Sequence, residues 1–175
     1  MKQLSLFSPI NDCLEKNEAG KKTSTHRWRL FVDGASRNNP GPSGAGIVLY
    51  KDDVLFYKHG FYLGVKTNNQ AEYLAVILGL FILQENMENQ DTVTVVSDSQ
   101  LLVRQLQGVY RVKNLYLQPL YMCAKNIISQ HRTLLMHVLR EDNILADQMA
   151  NEGVDFKNNV PKKYMDLLAN NNIHI

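Results

Sequence analysis

Cysteine is nearly missing from this chain: Cys13 and Cys123 are the only two in 175 residues, and neither has a partner at metal-ligand spacing. That excludes a disulfide-stapled framework and a thiolate metal site, and two lone thiols fit a reducing compartment. Long hydrophobic runs are missing as well. The most apolar stretch, Leu74 to Leu83, contains Gly79 and falls short of the roughly 20 residues of a membrane span. At the N-terminus, Pro9, Asn11 and Asp12 interrupt the apolar residues before a signal-peptide core can form. A soluble, cytoplasmic protein with no membrane partner is expected. Charge of one sign is also absent: 19 basic against 17 acidic residues leave a net +2, too mild to announce a nucleic-acid binder by itself. Neither repeats nor low-complexity tracts occur.

With 45% hydrophobic and 21% charged residues, the chain holds one ordinary globular core. Residues 8–26 are polar and mixed in charge, as a flexible linker is. From Trp28 the pattern changes. Trp28, Leu30 and Val32 alternate towards Asp33-Gly34, predicting a strand that ends in a turn. The Asn-, Pro- and Gly-rich stretch Asn38 to Gly46 reads as a loop, followed by strands at Ile47 to Lys51 and Val54 to Leu63 joined by a hairpin at Asp52-Asp53. A buried helix is expected over Gln70 to Asn86, with Thr67-Asn68-Asn69 as cap candidates. The β-branched run Thr92 to Val96 predicts a central strand, and Thr133 to Leu139 a fifth. Helices are expected at Ser99 to Leu106, Leu117 to Ser129 and Ile144 to Gly153, with a short one around Tyr164 to Leu168 in a tail, 157–175, whose role is unreadable. Three strands in series and then helix–strand alternation describe an α/β fold: a five-stranded mixed sheet flanked by α-helices.

Acids fall at telling places in this plan. Asp33 ends the first strand, Glu72 opens the long helix, Asp98 follows the central strand, and Asp147 lies one turn into the helix after the fifth strand. If the first and central strands are neighbours, all four gather at one sheet edge. Carboxylates so placed raise one another's pKa unless cations lie between them. Hard oxygen ligands select Mg2+ or Mn2+ over zinc. Two such ions on a phosphate would activate water and neutralise the leaving oxygen. Taken singly, each acid has a plainer explanation as a turn residue or a helix-dipole partner.

Their settings are more specific. Asp33-Gly34-Ala35-Ser36 with Asn39-Pro40-Gly41-Pro42 and Gly44-Ala45-Gly46, then Thr67-Asn68-Asn69-Gln70-Ala71-Glu72, Ser97-Asp98-Ser99-Gln100, and Arg140-Glu141-Asp142-Asn143 with Ala146-Asp147 and Ala150-Asn151, occur in that order. Together they resemble the type 1 ribonuclease H family over about Trp28 to Val154, with residues 27–156 as the domain. The resemblance implies the ribonuclease H-like fold, two Mg2+ ions (Mn2+ as the alternative) held by Asp33, Glu72, Asp98 and Asp147, and hydrolysis of the RNA strand of RNA/DNA hybrids to 5′-phosphate and 3′-hydroxyl ends. It also implies that Asn39, Asn69 and Gln100 contact the hybrid's minor groove, where side-chain amides can reach 2′-hydroxyls.

Two departures stand out. The basic helical handle of many family members is absent, and Gly108 to Asn114 takes its place, with Tyr110, Arg111 and Lys113 as a smaller substitute contact. This resembles the handle-less branch. The loop before the last domain helix carries no histidine; His137 lies within the fifth strand and reads as structural, and Arg140 offers a phosphate contact but no general base. At the other end, Gln3-Leu4-Ser5-Leu6-Phe7 is similar to the peptide by which bacterial replication proteins dock onto the sliding clamp, with Gln3, Leu4, Leu6 and Phe7 as the contacts and residues 1–7 as the motif. A monomer is expected. The competing readings are a catalytically weak or inactive hybrid-binding module, a DNA exonuclease or junction resolvase of the wider superfamily, and a ribonuclease domain from a retroelement polyprotein. Four intact acids weigh against the first of these.

Overall fold

Alternation builds the first strand, β1 (Arg27–Ser36): Trp28, Leu30 and Val32 are buried on one face, and Arg29 and Phe31 lie on the other. In the computed structural model, which describes residues 25–173, β1 is the centre of a five-stranded mixed sheet. Antiparallel β2 (Gly41–Lys51) turns at Asp52-Asp53 into antiparallel β3 (Val54–Lys66). Both turn residues take positive φ, 48° and 69°, the handedness that matches strand twist in a tight hairpin. On the far side, β4 (Thr92–Ser97) and β5 (Arg132–His137) run parallel to β1, so the order is β3-β2-β1-β4-β5. The expected fold class is therefore the observed one.

Helices cover the two faces unequally. Helix α1 (Asn68–Gln84) lies across the sheet with α3 (Gln118–Ser129) beyond it, and this layer holds the main core around Trp28, Leu30, Ile47, Leu49, Ile77 and Leu78. Short α2 (Gln100–Leu106) follows β4, and α4 (Ile144–Phe156) packs on the opposite face, its Ala146 and Met149 lying over Val48. Among the described residues, no helix is long and apolar enough to cross a membrane. The apolar run Leu74 to Leu83 is instead a helix covered on nearly every side.

Several boundaries differ from expectation for physical reasons. The stretch Gly41 to Gly46, read as loop, is strand, paired from Ser36↔Ser43 to Asp33↔Gly46. Its glycines are there for packing: a Cβ on Gly46 would stand 1.9 Å from the Ala146 carbonyl oxygen, so α4 lies directly on bare backbone. Helix α1 begins at Asn68 because Thr67 and Gln70 form a reciprocal capping box. β3 runs on to Lys66, and β5 ends at His137, whose place at its exposed end is followed by a 3-10 turn, Arg140–Asp142.

Residues after 156 do more than trail. Helix α5 (Lys162–Asn170) buries Tyr164, Leu168 and the following Ile173, and the Tyr164 hydroxyl donates to the Leu74 carbonyl in α1 at 3.0 Å. At the N-terminus, the expected clamp peptide (Gln3, Leu4, Leu6, Phe7) and most of the expected linker lie outside the described residues. The linker's last residue, His26, is pinned: its amide donates to Asp91 at 2.8 Å and its ring nitrogen pairs with Asp52 at 2.6 Å.

Candidate active site

Because β1 and β4 are parallel neighbours, their C-terminal ends lie side by side. Asp33 projects near the end of β1, and Asp98 follows β4 directly. Gly34 brings in the third acid. A Cβ there would sit 2.2 Å from the Glu72 backbone nitrogen, so only glycine lets the first turn of α1 approach β1 this closely. The Gly34 backbone slightly eases the charge of both the Asp33 and the Glu72 carboxylates, the smallest of the influences on each. The fourth acid, Asp147, arrives on the first turn of α4, which the Gly46 contact seats against the sheet.

All four acids and Arg140 line one cleft of about 380 Å³ with Ser36, Asn68 and Asn151. Burial, then the Asp98 and Asp147 charges, push the Asp33 carboxyl up to about 7. Glu72 is raised well above the usual carboxylate range, first by burial and then by Asp33 and Asp98. One Glu72 oxygen, Oε2, is buried with no hydrogen-bond partner. Arg140 Nη2 donates to Asp147 Oδ1 at 2.6 Å, and this bond, more than any other cause, raises the guanidinium's own pKa. Asn151 holds the same acid from within α4, its Nδ2 donating to Asp147 Oδ2 at 3.2 Å.

This donor set fits a hard divalent cation: oxygen ligands only, an orphaned carboxylate oxygen on Glu72, and two acids, Asp33 and Glu72, whose proton affinity is raised by burial and then by neighbouring carboxylates. Among the described residues, however, no group of three His, Cys, Asp or Glu side chains forms a ready-made ion site, and Asp147 is turned to Arg140.

A family model described as reverse transcriptase-like matches residues 31–153, which hold all four acids. A ribonuclease H from Coxiella burnetii is 33% identical over 145 residues, covering 72% of this chain and 88% of that protein. The chain belongs to the ribonuclease H family. The bifunctional protein Rv2228c of Mycobacterium tuberculosis is 36% identical over 129 residues, but this chain spans only 35% of its length. Among solved structures of the family, LC11-RNase H1 in complex with RNA/DNA hybrid is 36% identical, covers 74% of this chain and 97% of that one, and superposes with a TM-score of 0.67.

Against this ribonuclease H framework, the remaining candidate residues separate into groups. Asn39 is exposed at the cleft's rim, where its Oδ1 accepts from the Asn68 amide at 3.1 Å and so helps to start α1. Asn69, in the first turn of α1, and Gln100, first residue of α2, are also exposed. Tyr110 and Arg111 line a different cleft with Val109, Tyr121 and Met122, and Lys113 is exposed beside them; buried Val112 anchors the segment. The structure thus brings the acids and Arg140 together and leaves Tyr110, Arg111 and Lys113 apart. Sequence reasoning assigned no role to Asn151 or Asn143. Asn151 stands four residues after Asp147 in α4, the helical spacing that puts side chains on one face, and that spacing was the available signal; Asn143 had none.

Proposed function

We propose that this chain hydrolyses the RNA strand of RNA/DNA hybrids, leaving 5′-phosphate and 3′-hydroxyl ends. The observation that carries the reading is the gathering of Asp33, Glu72, Asp98 and Asp147 in one open cleft, with Asp33 and Glu72 held in a strongly raised proton affinity. The likeness to LC11-RNase H1, solved with a hybrid, supports the substrate. Asp33, Glu72, Asp98 and Asp147 would hold the ions, two Mg2+ or Mn2+. When bound, such ions supply water activation and neutralise charge on the leaving oxygen.

The chain's own residues do the rest. Gly34 sets the spacing of Asp33 and Glu72, and Asn151 orients Asp147. Arg140, released by Asp147, neutralises phosphate charge, while an arginine cannot itself serve as a general base. Asn39, its Oδ1 already engaged, offers its Nδ2 to the minor groove, and Asn69 and Gln100 extend that amide row across 2′-hydroxyls. Tyr110, Arg111 and Lys113 contact the DNA strand further out, by stacking and phosphate neutralisation. The resemblance of Gln3 to Phe7 to a clamp-docking peptide supports a tether to a sliding clamp, which raises the local enzyme concentration where hybrids form.

A cleavage assay comparing RNA/DNA hybrid, double-stranded RNA and double-stranded DNA, each with Mg2+ and with Mn2+, tests the function. Hybrid is cut and the other two duplexes are spared. Asp98→Asn abolishes cleavage while leaving the melting temperature near wild type; a fully active variant overturns the assignment.

A further inference from the structure

Asn143 is a polar side chain only 2% exposed at the junction of three acid-bearing elements. Its Nδ2 donates to the Val32 carbonyl at 3.0 Å, one residue before Asp33. The same nitrogen donates to Asp98 Oδ1 at 2.8 Å. Its backbone carbonyl accepts from the amides of Ala146 and Asp147, both at 3.1 Å, and so opens the helix that carries the fourth acid. One residue thereby joins β1, the end of β4 and the start of α4.

The amide's orientation is forced. Flipping it would set Oδ1 against a carbonyl and a carboxylate, three acceptors with no proton among them. Oδ1 meanwhile is buried without a partner, an unmade bond that ordinarily costs about 1–3 kcal/mol. The protein keeps that cost in order to place two donors. Only a side chain with two N–H bonds and no charge satisfies Val32 and Asp98 together. An aspartate would repel Asp98, and an alanine would strand both acceptors. With Oδ1 held by a charge-assisted bond, the Asp98 carboxylate is fixed in one rotamer.

We propose that Asn143 is a positioning residue: it sets the Asp98 carboxylate, relative to Asp33 and Asp147, for divalent-ion binding. The inference rests on the ion reading given under Proposed function and is tested by ion binding rather than by turnover. Partners of metal-binding carboxylates usually change metal affinity 10- to 100-fold when removed.

The experiment is calorimetric titration of the full chain with Mg2+ and with Mn2+, for wild type, Asn143→Ala, Asn143→Asp and the control Asn158→Ala. Asn158 also donates across the fold, to the Gly60 carbonyl at 3.0 Å, but touches no acid. Both Asn143 variants are expected to bind the ions at least tenfold more weakly, with hybrid cleavage by Asn143→Ala regained at raised Mg2+. Asn158→Ala is expected to melt lower with unchanged ion affinity. Ion affinity within twofold of wild type in a folded Asn143 variant overturns the inference and leaves the nuclease reading standing. A wild type that binds neither ion overturns both. Should the variants not fold, the wild-type Asn143 side-chain amide resonance decides: it shifts along the ion titration if Asn143 holds Asp98 at the site, and an unmoved resonance overturns the proposal.

Discussion

Replacing Asp33 by asparagine is expected to stabilise the ion-free protein above neutral pH while destroying its activity. Asp33 titrates at about 7 in the fold against 3.8 for an ordinary aspartate, because burial and the neighbouring Asp98 and Asp147 disfavour its charge. The sign follows from that gap. Below pH 3.8 the group is protonated whether the chain is folded or not, and contributes no difference. Between 3.8 and about 7 the unfolded chain ionises it and the folded chain does not, so stability falls as pH rises. Above 7 the folded protein carries the full cost, about 4 kcal/mol at 1.36 kcal/mol for each pKa unit. Asparagine has no such cost. In a chain of this size, 1 kcal/mol moves the melting temperature by about 2–4 °C, so Asp33→Asn should melt roughly 10 °C higher at pH 8 without divalent ions. The advantage should shrink steadily towards pH 4. Saturating Mg2+ should narrow it again, since only wild type gains from ion binding. The assay is thermal denaturation of both proteins from pH 4 to pH 8.5, with chelator and with Mg2+. An advantage that is absent at pH 8, or equal at pH 4 and pH 8, would refute the electrostatic account of the cleft.

Gly46→Ala should cost several kcal/mol and most of the cleavage, because its Cβ would lie 1.9 Å from the Ala146 carbonyl oxygen and force α4, with Asp147, off the sheet; melting and cleavage measured together check it. Tyr164→Phe removes the hydroxyl that donates to Leu74 and should lower stability by about 1 kcal/mol without altering cleavage. Arg140→Ala should slow cleavage at least tenfold while lowering, or leaving unchanged, the Mg2+ concentration needed for half-maximal rate, since Asp147 loses a competing partner. A higher Mg2+ requirement in that variant would contradict the competition.

What the sequence disclosed, it disclosed through local rules. The Thr67–Gln70 box marks the start of α1, and with it the approach of Glu72, because capping depends on residues three apart. The β-branched run Thr92 to Val96 marks a buried central strand because such runs suit burial on both faces. The stretch Gly41 to Gly46 misled because its composition is that of a turn, while Gly44 and Gly46 answer to a helix about 100 residues later in the chain. Asn39, read as a substrate contact, also accepts from the Asn68 amide, a contact 29 residues away that its own neighbourhood does not announce. The Arg140–Asp147 pair and the reach of Asn143 to Val32, 111 residues away, are tertiary facts that no window of sequence displays.

The docking of α5 also bears on how the protein comes into being. Leu74 and Tyr164 are 90 residues apart, yet α1 is not fully covered until they meet. Domains begin to fold N-terminal part first, at a synthesis rate of about 5–20 residues per second. For several seconds a nascent chain therefore holds β1 to β3 and α1 with one flank of that helix still bare. A chain cut short before Tyr164 would carry all four acids yet lack the side chains that close over that flank of α1.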